Sequence, residues 1–262
     1  MKSILCLLFA MSFAYSLNAQ KTTAAQQKII EEFADNCAHQ KPLFSHEWQE
    51  CLDAGLKKDS TIAYLWQQKA MPLFKQRKYE LGMVYIDKAV HYDRERWQEY
   101  RAFIKCIFAK TYKDALADFE DCKKRYGNRY VMDHTYDFYM GLCYLQLNDY
   151  KAAEKCFLGY INEMGKKGEE WVHATVLFYY GVSVYEQSRY KEAIVILDRA
   201  LKNYGEFSDA KYYKAMCYYN MKDMDSATLW YNQSREDEKK GFTINEDNTA
   251  YETYPYQVVW KK

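Results

Sequence analysis

Proline and glycine are scarce in this chain of 262 residues, which contains three prolines and ten glycines. Both residue types interrupt helices, so their scarcity favours a mostly helical protein. An excess of charge of one sign is also missing, since 37 lysines and arginines stand against 36 aspartates and glutamates. We therefore expect no nucleic-acid partner and no attraction to an anionic membrane surface.

Catalytic motifs are missing as well. The five histidines are scattered, and the sequence contains no G-x-S-x-G, no H-E-x-x-H and no glycine-rich phosphate loop. Acidic pairs such as Glu31–Glu32 are typical of solvated helix faces. We therefore predict a protein that is not an enzyme, with no catalytic residues, no metal ion and no cofactor.

Long hydrophobic runs are confined to the beginning of the chain. Lys2 is followed by an apolar run through Phe13, and the segment then ends in small residues, with Ala19 at a plausible cleavage position. This layout is typical of a secretory signal peptide, and an uncleaved anchor is the alternative. We predict a signal peptide over residues 1–19, export to the periplasm or the exterior of a bacterium, and no membrane span after cleavage.

What the sequence does contain is a short repeated phrase, as in "KTYKDALADF", "NDYKAAEKCF" and "SRYKEAIVIL". Each copy has a marker residue, a small residue three positions later and a bulky apolar residue seven positions later. Offsets of 0, 3 and 7 lie along one face of an α-helix. The five markers, 33 to 40 residues apart, are Tyr79, Tyr112, Tyr150, Tyr190 and Met224.

A second helical pattern precedes each marker. Four of the five copies carry a small residue nine positions before the marker, namely Ala70, Gly141, Gly181 and Ala215. Each copy is therefore predicted to form two helices joined by a turn. We expect the small residues of the two helices to face each other and to allow a close approach of the two backbones.

This helix–turn–helix, with Gly141, Tyr144, Tyr150, Ala153 and Phe157 in one copy, resembles the tetratricopeptide repeat. The resemblance covers residues 61–238 and implies an all-α fold, a right-handed α-α superhelical solenoid of about five helix hairpins. The copies run over about 63–96, 96–127, 134–165, 174–205 and 208–238.

Two segments flank the array. Residues 20–60 predict a helical pair that caps its N-terminal end, and residues 239–262 predict an irregular C-terminal tail. In the cap, Cys37 and Cys51 lie 14 positions apart, one on each arm. A disulfide between them is one interpretation, free buried thiols are another, and a metal site with His39 and His46 is a third, although the spacing fits no familiar zinc pattern.

In tetratricopeptide proteins the first helices line a concave groove, mainly through repeat positions 2, 5, 9, 12 and 13. The lysine, asparagine and arginine residues with which chaperone-binding members clamp a terminal carboxylate are absent here, which excludes that mode. The resemblance instead implies an aromatic-rich partner-binding groove. Its residues are Phe74, Tyr100, Phe138, Leu142, Phe178, Tyr185, Tyr212 and Tyr219.

Two alternatives for these groove residues stay open. They could pack between neighbouring first helices, or they could lie under the tail, whose segment "AYETYPYQVVW" could dock in the groove as an internal ligand. Our leading hypothesis is an exported non-enzymatic scaffold or adaptor that binds a protein or an extended peptide. A structural subunit of a cell-envelope assembly is the alternative, and an enzyme-associated helical domain is less favoured.

Overall fold

A computed structural model describes residues 22–260, and α-helices dominate this part of the chain. The predicted signal peptide, residues 1–19, lies outside the described residues. From residue 22 to residue 260, no helix is both long enough and apolar enough to cross a bilayer.

The fold is the predicted all-α solenoid, in which consecutive helices pack in pairs. The cap contains α1 (Ala24–Ile30) and α2 (His46–Lys58). The five pairs of the array are α3 (Ala63–Lys75) with α4 (Tyr79–Tyr92), α5 (Arg94–Ile107) with α6 (Tyr112–Tyr126), α7 (Tyr136–Gln146) with α8 (Tyr150–Gly165), α9 (Ala174–Glu186) with α10 (Tyr190–Asn203), and α11 (Ser208–Asn220) with α12 (Met224–Lys239).

One element was not predicted. A short hairpin connects α6 to α7, and each of its strands, β1 (Tyr130–Val131) and β2 (His134–Thr135), has two residues. Its strands are antiparallel, with Tyr130 opposite Thr135. Strands of two residues leave no alternating pattern in the sequence, so periodicity cannot reveal them.

The cap is joined across its two arms. α1 continues into a π-helical turn over Glu31–Asp35, and a 3-10 turn over Ala38–Gln40 leads towards α2. In the structure, Cys37 and Cys51 form a disulfide with a Cα–Cα distance of 5.8 Å. The cap has its own small core, which includes Ile30, Trp48 and Leu52.

The same left-handed turn separates the two helices of every pair. The residue two positions before each marker has a φ between 57° and 68°, and the next amide reaches back into the first helix, as where Asp149 donates to the Tyr144 carbonyl at 2.9 Å. This is the Schellman arrangement that ends a helix. The five left-handed residues are Arg77, Lys110, Asn148, Ser188 and Lys222.

Small residues fit large ones within a pair, which corrects the expectation that small residues face each other. A Cβ atom on Gly141 would lie 2.5 Å from Cε1 of Phe157, and one on Gly181 would lie 2.8 Å from Cδ2 of Leu197. The bulky residue seven positions after the marker therefore fills the space that the missing side chain leaves. Helix contact depends on this complementarity of size.

The tail follows α12 and contains one 3-10 turn, Asp247–Ala250. Elsewhere it is irregular, yet Ile244 and Tyr254 are each only 2% exposed and belong to the main core of the array. These two tail side chains are therefore packed in the core.

We expect Gly141→Ala and Gly165→Ala to change stability in opposite directions. The new methyl group at 141 meets the Phe157 ring, whereas a Cβ at 165, at the end of α8, has no atom within 4 Å. Overpacking should lower the free energy of unfolding by about 1–2 kcal/mol at 141, even after the gain in helix propensity. At 165 the free energy should rise by up to about 1 kcal/mol. Urea denaturation measures both, and equal effects would contradict this packing.

The disulfide predicts a defined thiol count. Without reductant, residues 22–260 should show five reactive thiols after denaturation, because Cys106, Cys122, Cys143, Cys156 and Cys217 are free. With reductant, the two cysteines of the disulfide raise the count to seven. Cys6, where retained, adds one to both counts. Equal counts with and without reductant would show that the bond does not form.

Candidate functional site

Four of the eight predicted groove residues lie in the core. Phe74 is 1% exposed, and Phe138, Leu142 and Phe178 are fully buried. The expectation that these four side chains line an open groove is therefore corrected: a partner cannot reach them on the folded chain.

Neighbouring first helices explain this burial. The Phe138 ring on α7 lies 5.7 Å from the Tyr179 ring on α9, measured between centroids. The Phe178 ring on α9 lies 5.6 Å from the Tyr213 ring on α11. At repeat position 5, these phenylalanines fill the seam between successive first helices, which is one of the two alternatives left open by the sequence.

The other four predicted groove residues are more accessible. Tyr100, Tyr185 and Tyr212 are partly buried, and Tyr219 is 50% exposed. Burial raises the pKa of Tyr100 to about 12. The ring of Tyr212 packs edge-on against Trp260 of the tail, with 5.5 Å between centroids. Of these four tyrosines, Tyr212 is the one that contacts the tail.

One group of side chains in the array binds the backbone of the tail. Asp209 on α11 accepts the Ile244 amide on Oδ2 at 3.0 Å and the Val258 amide on Oδ1 at 2.7 Å. The Tyr179 hydroxyl donates to the Pro255 carbonyl at 2.8 Å. A single carboxylate therefore binds two tail amides, and a hydroxyl binds a carbonyl between them.

A second group of contacts lies at the first two turns of the array. Arg77 Nη2 donates to the Tyr251 carbonyl at 3.1 Å. The buried Glu252 carboxylate lies 3.3 Å from Arg77 Nε and 3.2 Å from Lys110 Nζ, and it accepts the Tyr79 hydroxyl. Burial raises the pKa of Glu252, which the charge of Arg77 partly offsets, and burial lowers the pKa of Lys110. The left-handed turn residues of copies one and two thus bind the tail.

A third contact joins the tail to the middle of the array. His134 Nε2 lies 3.1 Å from both carboxylate oxygens of Glu246, and both side chains are buried. Burial raises the pKa of Glu246, but the hydrogen bond and charge of His134 and the charge of His173 outweigh it, so the pKa lies below its usual value. Burial, followed by the charge of His134, lowers the pKa of His173.

Asp209 has the opposite balance. It is completely buried, and burial raises its pKa to about 6 even though the amides of Val258 and Ile244 favour the charged form. The Asp209 carboxyl group, which binds both Ile244 and Val258 of the tail, is therefore protonated in mildly acidic solution.

Sequence reasoning missed the polar contacts. Asp209 occupies repeat position 2 of copy five, one of the positions that line the groove in tetratricopeptide proteins, so mapping that position would have found it. His134 and Glu246 lie 112 residues apart, and no spacing signal connects them. Among the side chains that the structure brings together, Asp209 and Tyr179 hold an extended backbone by two amides and a carbonyl.

Comparisons with known proteins address the fold. The family model described as "Tetratricopeptide repeat" matches residues 184–241. No curated protein matches the sequence. Among solved structures, MamA from Desulfovibrio magneticus RS-1 is 13% identical with a TM-score of 0.58, and the match covers 68% of this chain and 96% of that chain.

Two further structures share the arrangement of helices. YrrB, described as a tetratricopeptide protein with an unusual peptide-binding site, is 15% identical with a TM-score of 0.53, over 73% of this chain and 94% of that one. PilF of Pseudomonas aeruginosa is 15% identical with a TM-score of 0.54, over 83% and 96%. Such low identities show the fold alone. Together with the repeat matched at residues 184–241, they show that this chain has the helix-hairpin fold of tetratricopeptide-repeat proteins.

Proposed function

We propose that the chain is a non-enzymatic protein-binding scaffold whose inner surface binds an extended peptide segment. Its own tail, residues 242–260, acts as an internal ligand that a partner has to displace. The observation that carries this proposal is the clamp on the tail backbone, in which Asp209 accepts two amides and Tyr179 donates to a carbonyl. Every extended peptide offers these groups, so such a clamp suits exchange of one segment for another.

Selectivity would come from the side chains of the segment. Tyr254 is almost fully buried, and Trp260 packs against Tyr212 and Tyr231 with 5.5 and 5.7 Å between ring centroids. Buried aromatic side chains contribute strongly to recognition at interfaces. We therefore expect a partner segment that is rich in aromatic residues. Because the chain is nearly neutral overall, charge steering should contribute little.

Because the tail is part of the same chain, it has an advantage over a separate partner. A tethered segment reaches an effective concentration of about millimolar, so a partner competes only with high affinity or after the tail has loosened. Tyr219 and Asn220 on α11 are exposed, and Asn220 lies 3.4 Å from the Tyr185 hydroxyl. Both side chains are open to solvent while the tail is bound.

The proposal includes export. The signal-like residues 1–19 suggest transport across a membrane, and the disulfide between Cys37 and Cys51 suits an oxidising compartment such as the bacterial periplasm. The peptide-binding site attributed to YrrB, a protein of similar fold, is consistent with a scaffold of this kind.

A tail supplied in trans tests the internal-ligand proposal. A protease site is inserted between the exposed residues Lys240 and Gly241, and the folded chain is then cut. We expect the cut tail to remain bound in gel filtration and to exchange with a labelled peptide of residues 242–260. The uncut chain should bind the labelled peptide at least 100-fold more weakly. A folded array from which the tail dissociates, and which does not bind the peptide, would contradict the proposal.

Tyr179→Phe provides the matched variant in the cut chain. It removes the hydroxyl that binds the Pro255 carbonyl, which corresponds to about 1–1.5 kcal/mol or roughly tenfold weaker peptide binding. Tyr136→Phe is the control, because it removes a buried hydroxyl that bonds to Arg129 Nε at 2.9 Å, away from the tail. Only the first change should weaken peptide binding in fluorescence titrations. An equal effect of both would indicate general destabilisation.

The raised pKa of Asp209 predicts a pH dependence of stability. Between about pH 4 and pH 6 the folded chain holds a proton on Asp209 that the unfolded chain has released. The contribution of Asp209 to the free energy of unfolding therefore falls as the pH rises through this window, by about 3 kcal/mol in total. Urea denaturation of the wild type and Asp209→Asn at pH 4 and pH 7 isolates this contribution, because the other titrating groups cancel. A constant difference between the two proteins would show that the carboxyl group titrates normally.

A further inference from the structure

Three potential metal ligands converge where the tail crosses the middle of the array. His134 comes from β2, His173 lies directly before α9, and Glu246 comes from the tail. Their donor atoms all lie within 4.8 Å of one another. His134 Nε2 is 3.1 Å from both Glu246 oxygens, and His173 Nδ1 is 4.0 Å from Glu246 Oε1.

These separations are close to those of a tetrahedral zinc site. With bonds of about 2.0–2.1 Å, two ligand atoms of such a site lie about 3.3 Å apart. The distance from His134 to Glu246 is already in this range, and His173 Nδ1, which lies 4.0 Å from Glu246 Oε1, has to move closer. Calcium and magnesium prefer oxygen ligands, whereas two imidazoles and one carboxylate suit zinc. We propose that His134, His173 and Glu246 form a Zn²⁺ site.

The site is largely preorganised. His134 is 2% exposed, and its ring lies 3.8 Å from the Phe138 ring, centroid to centroid, which fixes its orientation. Glu246 is 6% exposed. His173 is half-exposed and accepts the Thr175 amide on Nδ1 at 3.3 Å. Zinc binding would replace this long hydrogen bond with a metal–nitrogen bond. His173, the ligand that has to move, is also the most exposed of the three.

One of the three ligands, His173, opens onto a cavity. A cavity of about 820 Å³ lies between residues 172–175, residues 203–204 and the first part of the tail. His173 and Thr175 line this cavity together with Asn245 of the tail. Three protein ligands leave a fourth position for zinc, which water can fill from the cavity.

The ion would tie the tail to two separate parts of the array. Because the ligands lie in three distant segments, binding is expected to favour the docked tail over the displaced one. Zinc would then oppose the binding of any segment that competes with the tail. The competing interpretation is a plain hydrogen bond from His134 to Glu246 that binds no ion.

Zinc titration of the full chain, prepared without a histidine tag and stripped with a chelator, tests the site. Calorimetry should show one Zn²⁺ bound per chain. Glu246→Gln keeps the shape of the side chain, and His173→Ala alters a half-exposed residue, so both variants should fold. Each should bind Zn²⁺ at least tenfold more weakly. His46→Ala is the control, since His46 forms an exposed pair with Glu50 elsewhere, and it should bind as the wild type does.

Two further readouts separate a tail-locking site from adventitious binding. At a hundredfold excess of Zn²⁺ over Kd, the melting temperature of the wild type should rise by about 5 °C or more. Hydrogen exchange at the amides of Ile244 and Val258 should slow in the wild type but not in His173→Ala. Wild-type binding no tighter than millimolar, unchanged affinity in Glu246→Gln and His173→Ala, or the same effects with Mg²⁺ would each overturn the proposal.

Discussion

The fully buried carboxylate of Asp209 is the constraint on which the inner surface depends. A carboxylate in an apolar core carries a large desolvation cost unless it is hydrogen-bonded. Two amides offset that cost here, and they belong to Ile244 and Val258, which lie 14 residues apart. The tail must therefore leave Asp209, cross the array and return to it. Removal of the tail would take these two donors from Asp209 and the acceptor from the Tyr179 hydroxyl, and water would have to replace them. Under the proposed exchange, a segment that displaces the tail would have to offer equivalent groups.

The same path explains two turn residues that are unusual for their backbone conformation. Arginine and lysine rarely adopt a positive φ, whereas asparagine, as at Asn148, does so more readily. Arg77 and Lys110 nevertheless occupy left-handed turns, and both lie beside the buried Glu252. Their charges provide the partners that Glu252 requires when it is removed from water. Lys222 adopts the same backbone conformation, so the turn itself tolerates lysine; at Arg77 and Lys110 the tail gives the charge a partner.

The sequence predicts the repeat well because the residues that pack one helix against the next recur at fixed spacings in every copy. The spacing of Tyr150, Ala153 and Phe157 depends only on the pitch of one helix, which is a local property. The groove is harder to predict, because position 5 faces both the inner surface and the next first helix. The burial of Phe138 and Phe178 is decided by the neighbouring repeat.

The polar anchors of the tail are equally hidden from sequence reasoning. Asp209 lies in the first turn of α11, where an acidic residue is common because it interacts favourably with the helix dipole. Its position therefore has an ordinary explanation, and its burial follows only from the tail above it. His134 and Glu246 are far apart in the sequence, and they meet because the tail returns across the hairpin that holds His134. Contacts of this kind depend on tertiary placement, which a one-dimensional pattern does not encode.

The distribution of contacts along the tail sets the order in which it can be released. Trp260 packs against partly exposed groups, including Arg235 at 4.7 Å from its ring, and Val259 is 73% exposed. Farther in, Val258 and Tyr254 are held by a buried carboxylate and by the core. The free energy needed to release the tail from the array therefore increases from Trp260 towards Tyr254. In other proteins, too, weakly packed segments open first. A competing segment would bind most readily by taking the position of Trp260 and then replacing Val258 on Asp209.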